Sequence, residues 1–163
     1  MPYSIRPMSA QDREPIMDIF NFYVENSFAA YPETKLPYQA FDMFLKMSKG
    51  YPAGTVLDQE GKVVGFGMLR AYHPMPAFSK TAEITYFLHP DHTGKGIGKK
   101  LLDYLEKGAR EMSLENILAS ISSLNDGSVE FHRKNGFKDC GLFKDIGSKK
   151  GKTFDMVWLQ KKL

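Results

Sequence analysis

The sequence has few of the residues that build disulfide frameworks or metal clusters. Cys140 is the single cysteine among 163 residues, so an internal disulfide is excluded. His73, His89 and His92 match no standard zinc spacing, and we therefore expect no metal. No apolar run approaches the ~18 residues that a membrane-spanning helix needs, and no secretion signal is visible. We expect a cytoplasmic protein without a membrane partner.

Basic residues are too sparse for a nucleic-acid-binding track. The net charge is +3, and lysine and arginine form no dense stripe. Residues 1–81 contain 8 basic and 8 acidic side chains, whereas residues 82–163 contain 14 and 11. Because the excess positive charge lies in the second half, we expect a small anionic ligand there and no nucleic acid.

Glycines are concentrated in one turn between a strand-like run and a helix-like run. Gly94, Gly96 and Gly98 occupy alternate positions, with Lys95 and Lys99 among them. Glycine lets backbone amides come close to a ligand, and the first amides of a helix have no partner within the helix. This arrangement predicts a phosphate-binding turn. The alternative is an ordinary helix-entry loop without a ligand.

Two common phosphate-binding patterns do not fit this turn. A P-loop counted from Gly94 requires glycine at position 99, and a dinucleotide fingerprint requires it at position 99 or 101. Lys99 and Leu101 occupy those positions. Neither ligand class is therefore predicted from the pattern.

Hydrophobic periodicity predicts one domain, residues 1–163, in which strands and helices are mixed. Strands are expected over residues 3–7, 55–57, 62–70, 81–88, 117–121, 137–144 and 153–160. Helices are expected from residue 15 up to a loop that begins at residue 28, over residues 38–49, from the glycine-rich turn to about residue 112, and over residues 129–135. Successive strands favour hairpins, and the later strand-helix-strand order favours some parallel pairing. We predict an α/β (α+β) fold with a single mixed, mostly antiparallel sheet and helices on both faces.

Several ordered segments resemble one enzyme superfamily. Gly96 and Gly98 match the glycines of the pyrophosphate signature [QR]-x-x-G-x-[GA] of the GCN5-related N-acetyltransferases (GNAT), with Thr93 at its first position. Four further segments resemble the phosphinothricin and L-amino-acid N-acetyltransferase branch. Residues 21–27 resemble N-x-Y-[IV]-x-x-S, residues 81–88 T-x-E-x-[ST]-[VI]-Y-V, residues 125–137 N-x-x-S-x-x-[LF]-H-x-x-x-G-[FY], and residues 147–155 G-x-K-x-G-x-x-x-D.

The resemblance implies the GNAT fold and an acetyl-CoA-dependent N-acetyltransferase. The acceptor it implies is the primary amine of an amino acid or an analogue such as phosphinothricin or methionine sulfoximine, which attacks directly in a ternary complex. It also implies acetyl-CoA as cosubstrate, no metal, and a homodimer. Two alternatives remain open: a peptide or protein N-acetyltransferase, and a non-catalytic acyl-CoA-binding module.

Two residues are candidates for proton transfer. An amine with a pKa of ~10 must lose a proton before it attacks a thioester. Glu83 matches the strand glutamate of the family and is the candidate base; its neighbours Ala82 and Ile84 predict apolar surroundings, in which a carboxylate takes up protons more readily. His132 matches the histidine of this branch and is the candidate acid. The alternatives are a solvated glutamate and a packed histidine.

The resemblance also implies a set of cosubstrate-binding residues. The backbone of Tyr86, Phe87 and Leu88 would pair with the pantetheine arm, with one N–H near Leu88 donating to the thioester carbonyl. Asn125 would bind the pantetheine amides, and Lys134 would reach a nucleotide phosphate. The pyrophosphate would lie on the amides of Gly94, Lys95, Gly96, Ile97, Gly98 and Lys99.

The expected acceptor site departs from the family pattern. The branch usually has an arginine eight residues before the strand glutamate, as an anchor for a substrate carboxylate, but Met75 occupies this position. Phe78 replaces the tyrosine of the same segment. We predict that Met75, Phe78 and Tyr31 line the acceptor site. Arg70 and Lys80 remain as alternative anchors for a carboxylate.

Overall fold

The computed structural model describes residues 2–163 as seven strands and four α-helices, with short 3-10 turns between some of them. The strands are β1 (Ser4–Pro7), β2 (Ala53–Leu57), β3 (Val63–Ala71), β4 (Thr81–Leu88), β5 (Asn116–Ser122), β6 (Lys138–Lys149) and β7 (Lys152–Lys162). The helices are α1 (Arg13–Asn26), α2 (Phe41–Ser48), α3 (Ile97–Glu111) and α4 (Asp126–Lys134).

All seven strands form one sheet in the order β1-β2-β3-β4-β5-β7-β6. Neighbouring strands are antiparallel except β4 and β5, which run parallel and are connected through α3. A parallel pair requires such a crossover, because its second strand must start again at the same end of the sheet. The predicted mixed, mostly antiparallel sheet and the predicted order of elements are confirmed.

The parallel strands β4 and β5 pair at one end only. Residues 81–83 pair with residues 116–118, and the ladder stops at Glu83. Beyond that point β4 continues to Leu88 against β3, while β5 continues to Ser122 against β7. The sheet therefore opens into a cleft between the second half of β4 and the second half of β5.

A separate core lies on each face of the sheet, and both predicted helix layers are present. On one face, α1 and α2 pack over β3, where Phe44 stacks on Phe66 with ring centroids 5.8 Å apart. On the other face, α3 contributes the fully buried side chains of Leu101, Leu102 and Leu105. The two layers hold the central strands rigidly, so groups mounted on β3 and β4 have fixed positions.

Gly67 of β3 permits a close approach of α3 and β4. A Cβ at this position would lie 2.9 Å from the Cβ of Tyr86 and 3.1 Å from the side chain of Leu101. Real Cβ atoms do not tolerate the first distance, so a larger residue would push the strand and helix apart. Gly67 therefore fixes how deeply the Tyr86 side chain can lie.

The hairpin of β6 and β7 is longer than the sequence predicts. Residues 147–151 are expected to be a connection, yet β6 continues to Lys149 and β7 begins at Lys152. The turn is confined to Lys150 and Gly151, which have φ angles of 51° and 75°. Gly147 lies against the ring of Phe154, where a Cβ would be only 2.3 Å away. The prediction is wrong because this glycine serves cross-strand packing and not a turn.

Asp12 is a buried carboxylate that connects three elements. It accepts hydrogen bonds from Arg6 of β1 at 2.7 and 2.9 Å, from Thr55 of β2 at 2.8 Å, and from the N–H of Ser9 at 3.0 Å. Burial alone would raise the pKa of Asp12, but the hydrogen bonds, first that of Arg6, hold this pKa below its usual value. The first turn before α1 is thereby fixed to the sheet.

We expect Asp12→Asn to remove a pH-dependent part of the stability. Because the pKa of Asp12 is lower in the folded than in the unfolded chain, its contribution is complete above the unfolded pKa and is lost as pH falls through the folded pKa. The difference in unfolding free energy between wild type and variant should therefore shrink below about pH 4. Urea denaturation at pH 7, 5, 4 and 3 measures it.

Asp42→Asn is the matched control, since this carboxylate is 66% exposed in its ion pair with Arg13. It should change the unfolding free energy by less than about 1 kcal/mol at each pH. A constant difference between wild type and Asp12→Asn over the whole range would contradict the prediction.

Candidate active site

The cleft edge of β4 presents backbone groups without a strand partner. His89 donates its N–H to the carbonyl of Val64 at 2.8 Å. Antiparallel alternation then directs the amides of Tyr86 and Leu88 away from β3 and toward the cleft. β5 does not pair with β4 beyond Glu83, and no other strand of residues 2–163 pairs with this edge. An extended ligand can add there as a further strand.

Phe87 does not belong to this edge. The same alternation directs its amide toward Phe66 of β3. Its ring packs in the core, with the ring centroids of Phe20 and Phe66 at 5.5 and 5.8 Å. The structure therefore removes Phe87 from the predicted cosubstrate-binding set. A strand presents every second residue to one edge, and the sequence pattern did not reveal which half.

Tyr23 of α1 supports the end of β4. Its hydroxyl donates a hydrogen bond to the carbonyl oxygen of Leu88, which leaves the N–H of Leu88 directed into the cleft. Its ring also packs against Phe87, with centroids 5.3 Å apart. The sequence places Tyr23 on the core stripe of its helix and did not reveal this hydrogen bond, because the partner is distant along the chain.

The glycine-rich turn lies directly before α3. Gly94 and Gly96 have φ angles of 73° and 79°, and Gly96 immediately precedes the helix. A Cβ at either position would meet nothing within 4 Å, so the left-handed backbone and not a lack of space favours glycine. The amides of Ile97, Gly98 and Lys99 form the first turn, where no helical carbonyl accepts from them and the helix dipole favours an anion.

The side chains around this turn have different environments. Ile97 is buried in the core and offers only its backbone amide to a ligand. Gly98 faces Phe131, where a Cβ would lie 3.4 Å from the ring, so α4 packs close to the start of α3. Lys95 is exposed, and Lys99 forms an ion pair with Asp103 at 2.6 Å.

Asn125 and Lys134 lie at opposite ends of α4. Asn125 precedes the first residue of the helix, is half-buried, and makes no capping hydrogen bond through its side chain. Its amide therefore remains available to a ligand. Lys134 is the last residue of the helix and is exposed to solvent.

His132 is buried in α4, and both of its ring nitrogens have partners. Nδ1 lies 2.7 Å from the carbonyl oxygen of Ser128, and Nε2 lies 2.7 Å from the hydroxyl of Tyr86. A carbonyl oxygen only accepts, so Nδ1 carries the hydrogen and Nε2 of the neutral ring accepts from Tyr86. Burial lowers the pKa of His132, although the Ser128 contact partly opposes this, and the neutral form is favoured.

Glu83 and Tyr86 point to opposite faces of the sheet, because side chains alternate along β4. Glu83 therefore lies on the face opposite His132, which contacts Tyr86. Its Oε2 is 2.5 Å from Nη1 of Arg70, its directly paired neighbour on β3. The two side chains are only 12% and 26% exposed. The predicted apolar surroundings are wrong. Ala82 and Ile84 point to the other face, and the cross-strand neighbour decides what the carboxylate meets.

Tyr31 lies over the same face as Glu83. Its ring stacks on Phe154 with centroids 5.8 Å apart, and its hydroxyl is 3.7 Å from Sδ of Met156. Partial burial raises the pKa of Tyr31, while a backbone hydrogen bond at Ser122 and the charge of Arg70 oppose this. Glu83 pairs with Leu118, and Leu118 pairs with Gln160 of β7, so alternation along β7 places Phe154 and Met156 on the same face of the sheet as Glu83. Tyr31, which contacts both residues, therefore lies on the face that carries Arg70 and Glu83.

Met75 and Phe78 lie apart from this group. They are 58% and 43% exposed on the loop between β3 and β4. Phe78 packs against Tyr72 and His73, with ring centroids 5.8 and 4.8 Å away. The contacts of Phe78 are thus within its own loop, and the predicted role of Met75 and Phe78 in the acceptor site stays a prediction.

Lys149, which the sequence reading did not single out, anchors the segment that leads to Tyr31. It is buried, and its Nζ donates to the carbonyls of Val24, Ser27 and Ala30 at 2.7, 2.6 and 2.6 Å. Burial lowers the pKa of Lys149, and the nearby charge of Lys150 acts in the same direction. The lysine of the G-x-K-x-G segment is the available signal, but a lysine near a turn ordinarily indicates a solvated residue.

Residues 2–163 contain no cluster of three histidine, cysteine, aspartate or glutamate side chains arranged to hold a metal ion. Over the same range, no helix is long and apolar enough to cross a membrane.

Known acetyltransferases are similar to this chain in sequence and in fold. The profile of the Acetyltransferase (GNAT) family matches residues 16–137. The chain is 33% identical to the L-methionine sulfoximine/L-methionine sulfone acetyltransferase of Pseudomonas paraeruginosa, over 98% of this chain and 94% of that protein.

Two crystal structures have closely similar folds. A phosphinothricin acetyltransferase from Sinorhizobium meliloti, in complex with AcCoA, superposes with a TM-score of 0.94 at 31% identity, covering 100% of this chain and 89% of that one. A ribosomal-protein-alanine N-acetyltransferase from Brucella melitensis superposes with a TM-score of 0.91 at 31% identity, covering 98% and 99%.

We expect Lys149→Met to destabilise the protein by about 3 kcal/mol or more, because two buried carbonyls and one half-buried carbonyl lose their donor. Urea denaturation measures the unfolding free energy. The matched control is Lys162→Met, at an exposed lysine of β7, and it should change the value by less than about 0.5 kcal/mol. Equal urea midpoints for Lys149→Met and Lys162→Met would show that the three hydrogen bonds contribute little to the unfolding free energy.

Proposed function

The chain belongs to the acetyltransferase (GNAT) family, and from this membership we propose that it transfers the acetyl group of acetyl-CoA to the primary amine of a small, amino-acid-like acceptor. The observation that carries the proposal is the open edge of β4 beside the glycine-rich start of α3. The names of the Pseudomonas and Sinorhizobium relatives support an acceptor such as methionine sulfoximine or phosphinothricin.

The cleft suits a long ligand that has a phosphate group at one end and amides along its arm. We assign the pyrophosphate to the amides of residues 94–99, with the charge of Lys95 beside them. The pantetheine arm pairs with the cleft-facing amides of Tyr86 and Leu88, and Asn125 binds it from the other side. The N–H of Leu88 donates to the thioester carbonyl, where negative charge develops during attack. Lys134 is assigned to the outlying nucleotide phosphate.

Glu83 is assigned as the general base. Its position on a central strand fixes the carboxylate, and the ion pair with Arg70 restricts its orientation further. The acceptor ammonium loses its proton to Glu83 directly or through a water molecule, and the free amine then attacks the thioester carbon. Tyr31 borders the space in which the acceptor lies.

His132 is assigned a positioning role in place of the acid role that the sequence predicts. The neutral ring donates its Nδ1 hydrogen to the carbonyl of Ser128 and accepts at Nε2 from Tyr86, so neither ring nitrogen directs a hydrogen toward the cleft. Burial also lowers the pKa of His132, which favours this neutral form. A thiol pKa of ~8.5 also makes the thiolate a good leaving group without a strong acid. His132 instead fixes the Tyr86 side chain at the cleft and links α4 to β4.

One alternative acceptor is the α-amine of a protein, and the name of the Brucella relative supports it. The other alternative is a non-catalytic acyl-CoA-binding module. Thr93 supports this second reading, because it lacks the side-chain contact that glutamine or arginine would make with the pyrophosphate.

We also propose that the protein is a cytoplasmic homodimer with no nucleic-acid or membrane partner. The edge strand β6 has Leu142, Phe143 and Ile146 exposed by 52%, 52% and 58%. Edge strands with exposed apolar side chains pair readily with a second chain. A symmetric contact through β6 would cover these side chains in both subunits.

The double variant Phe143→Lys/Ile146→Lys should therefore be monomeric. Light scattering after size-exclusion chromatography should give twice the 18.5 kDa chain mass for the wild type and a single chain mass for the variant. Met43→Lys, at a methionine of α2 that is 60% exposed, is the control and should remain dimeric. A monomeric wild type would exclude the dimer.

The function is tested by thiol release from acetyl-CoA in the presence of amino acids, methionine sulfoximine, phosphinothricin, polyamines and short peptides. We expect turnover with amino-acid-like amines. Glu83→Gln should lower kcat by about 10²- to 10⁴-fold, because the base is lost, while the Kd for acetyl-CoA stays within about twofold.

Glu115→Gln is the control for this assay, since Glu115 forms an exposed ion pair with Lys80 and should leave kcat unchanged. Acetyl-CoA binding without thiol release for any amine would favour the binding module. Turnover confined to peptides would favour the protein acceptor.

A further inference from the structure

Arg70 and Lys80 are the two basic residues considered as the anchor of an acceptor carboxylate, and their environments favour Arg70. Met75 occupies the position of the family arginine, has no charge, and is 58% exposed on a loop. Lys80 forms an ion pair with Glu115 at 3.0 Å, and both side chains are more than 60% exposed. Only Arg70 lies in direct contact with the proposed base.

Arg70 is held firmly but keeps part of its guanidinium free. Nη1 contacts Glu83, and Nε donates to Oγ1 of Thr85 at 3.2 Å. Within residues 2–163, Nη2 makes no hydrogen bond. The Arg70 side chain is 26% exposed, so it is not sealed off from solvent. A guanidinium with free donors is well suited to bind a carboxylate.

The partners of Arg70 give the site a defined charge pattern. Arg70 of β3 and Glu83 of β4 are direct cross-strand partners. A positive and a negative side chain therefore lie next to each other on two central strands. An α-amino acid carries an ammonium and a carboxylate separated by a single carbon atom. Its two charges complement the two protein charges, the ammonium at Glu83 and the carboxylate at Arg70.

Building on the proposed function, we propose that Arg70 is the residue that binds the carboxylate of the amino-acid-like acceptor. Arg70 takes over the task of the family arginine from a different position, on a strand in place of a loop. The α-amine of a protein has a neutral amide in place of the carboxylate. It leaves Arg70 without an anionic ligand and is disfavoured.

The test compares L-methionine sulfone with its primary carboxamide, which differ only in the carboxylate. For the wild type, kcat/KM should be at least about 30-fold higher for the acid. Arg70→Gln should reduce kcat/KM for the acid by about 30-fold or more, mainly through KM, and should change that of the carboxamide by less than about threefold. Arg70→Lys should recover part of the loss, because it restores charge without the fork. Lys80→Gln is the control and should preserve the discrimination.

Equilibrium binding separates this proposal from the proposed function. Titration of the CoA complex with the acid and the carboxamide reports the anchor without any turnover. Arg70-dependent binding of the acid in a protein that acetylates no amine would overturn the function but support the anchor. Turnover and binding that do not distinguish acid from carboxamide would overturn the anchor and leave the function intact. Equal losses for both ligands in Arg70→Gln would show that Arg70 acts only through Glu83.

Discussion

The end of the β4–β5 ladder at Glu83 is the constraint on which the rest of the site depends. Each strand in the interior of a sheet normally donates backbone N–H groups to both neighbouring strands. In β4 the N–H groups of Tyr86 and Leu88, which point away from β3, have no strand partner on the side of β5. The same separation brings the start of α3 to the mouth of the cleft. A ligand that is anionic at one end and rich in amides along its length meets both requirements.

Because side chains alternate along β4, neighbouring residues of this strand point to opposite faces of the sheet. Glu83 faces Arg70 on one side of the sheet, and Tyr86 faces His132 on the other. The cleft edge between these faces carries only backbone groups. Residues three positions apart therefore contact Arg70 on one face and α4 on the other, and a substitution on one face need not disturb the other.

Buried charges fix the segments that surround the site. Lys149 connects the tip of the β6–β7 hairpin to the end of α1, from which the chain leads to Tyr31. Asp12 connects the opposite end of α1 to β1 and β2. Each buried charge has several hydrogen-bond partners, which offsets the cost of removing it from water. The helix over the acceptor side is thus held at both ends.

The sequence by itself determined the order of elements, the mixed sheet, the glycine-rich turn and the family resemblance, because these depend on local periodicity, turn chemistry and spacing. It did not determine that Phe87 turns toward β3, that Arg70 meets Glu83, or that Lys149 is buried. Strand parity and cross-strand neighbours depend on register, which is set by contacts between residues far apart in the chain. Only the tertiary structure decided which of the predicted side chains share a site.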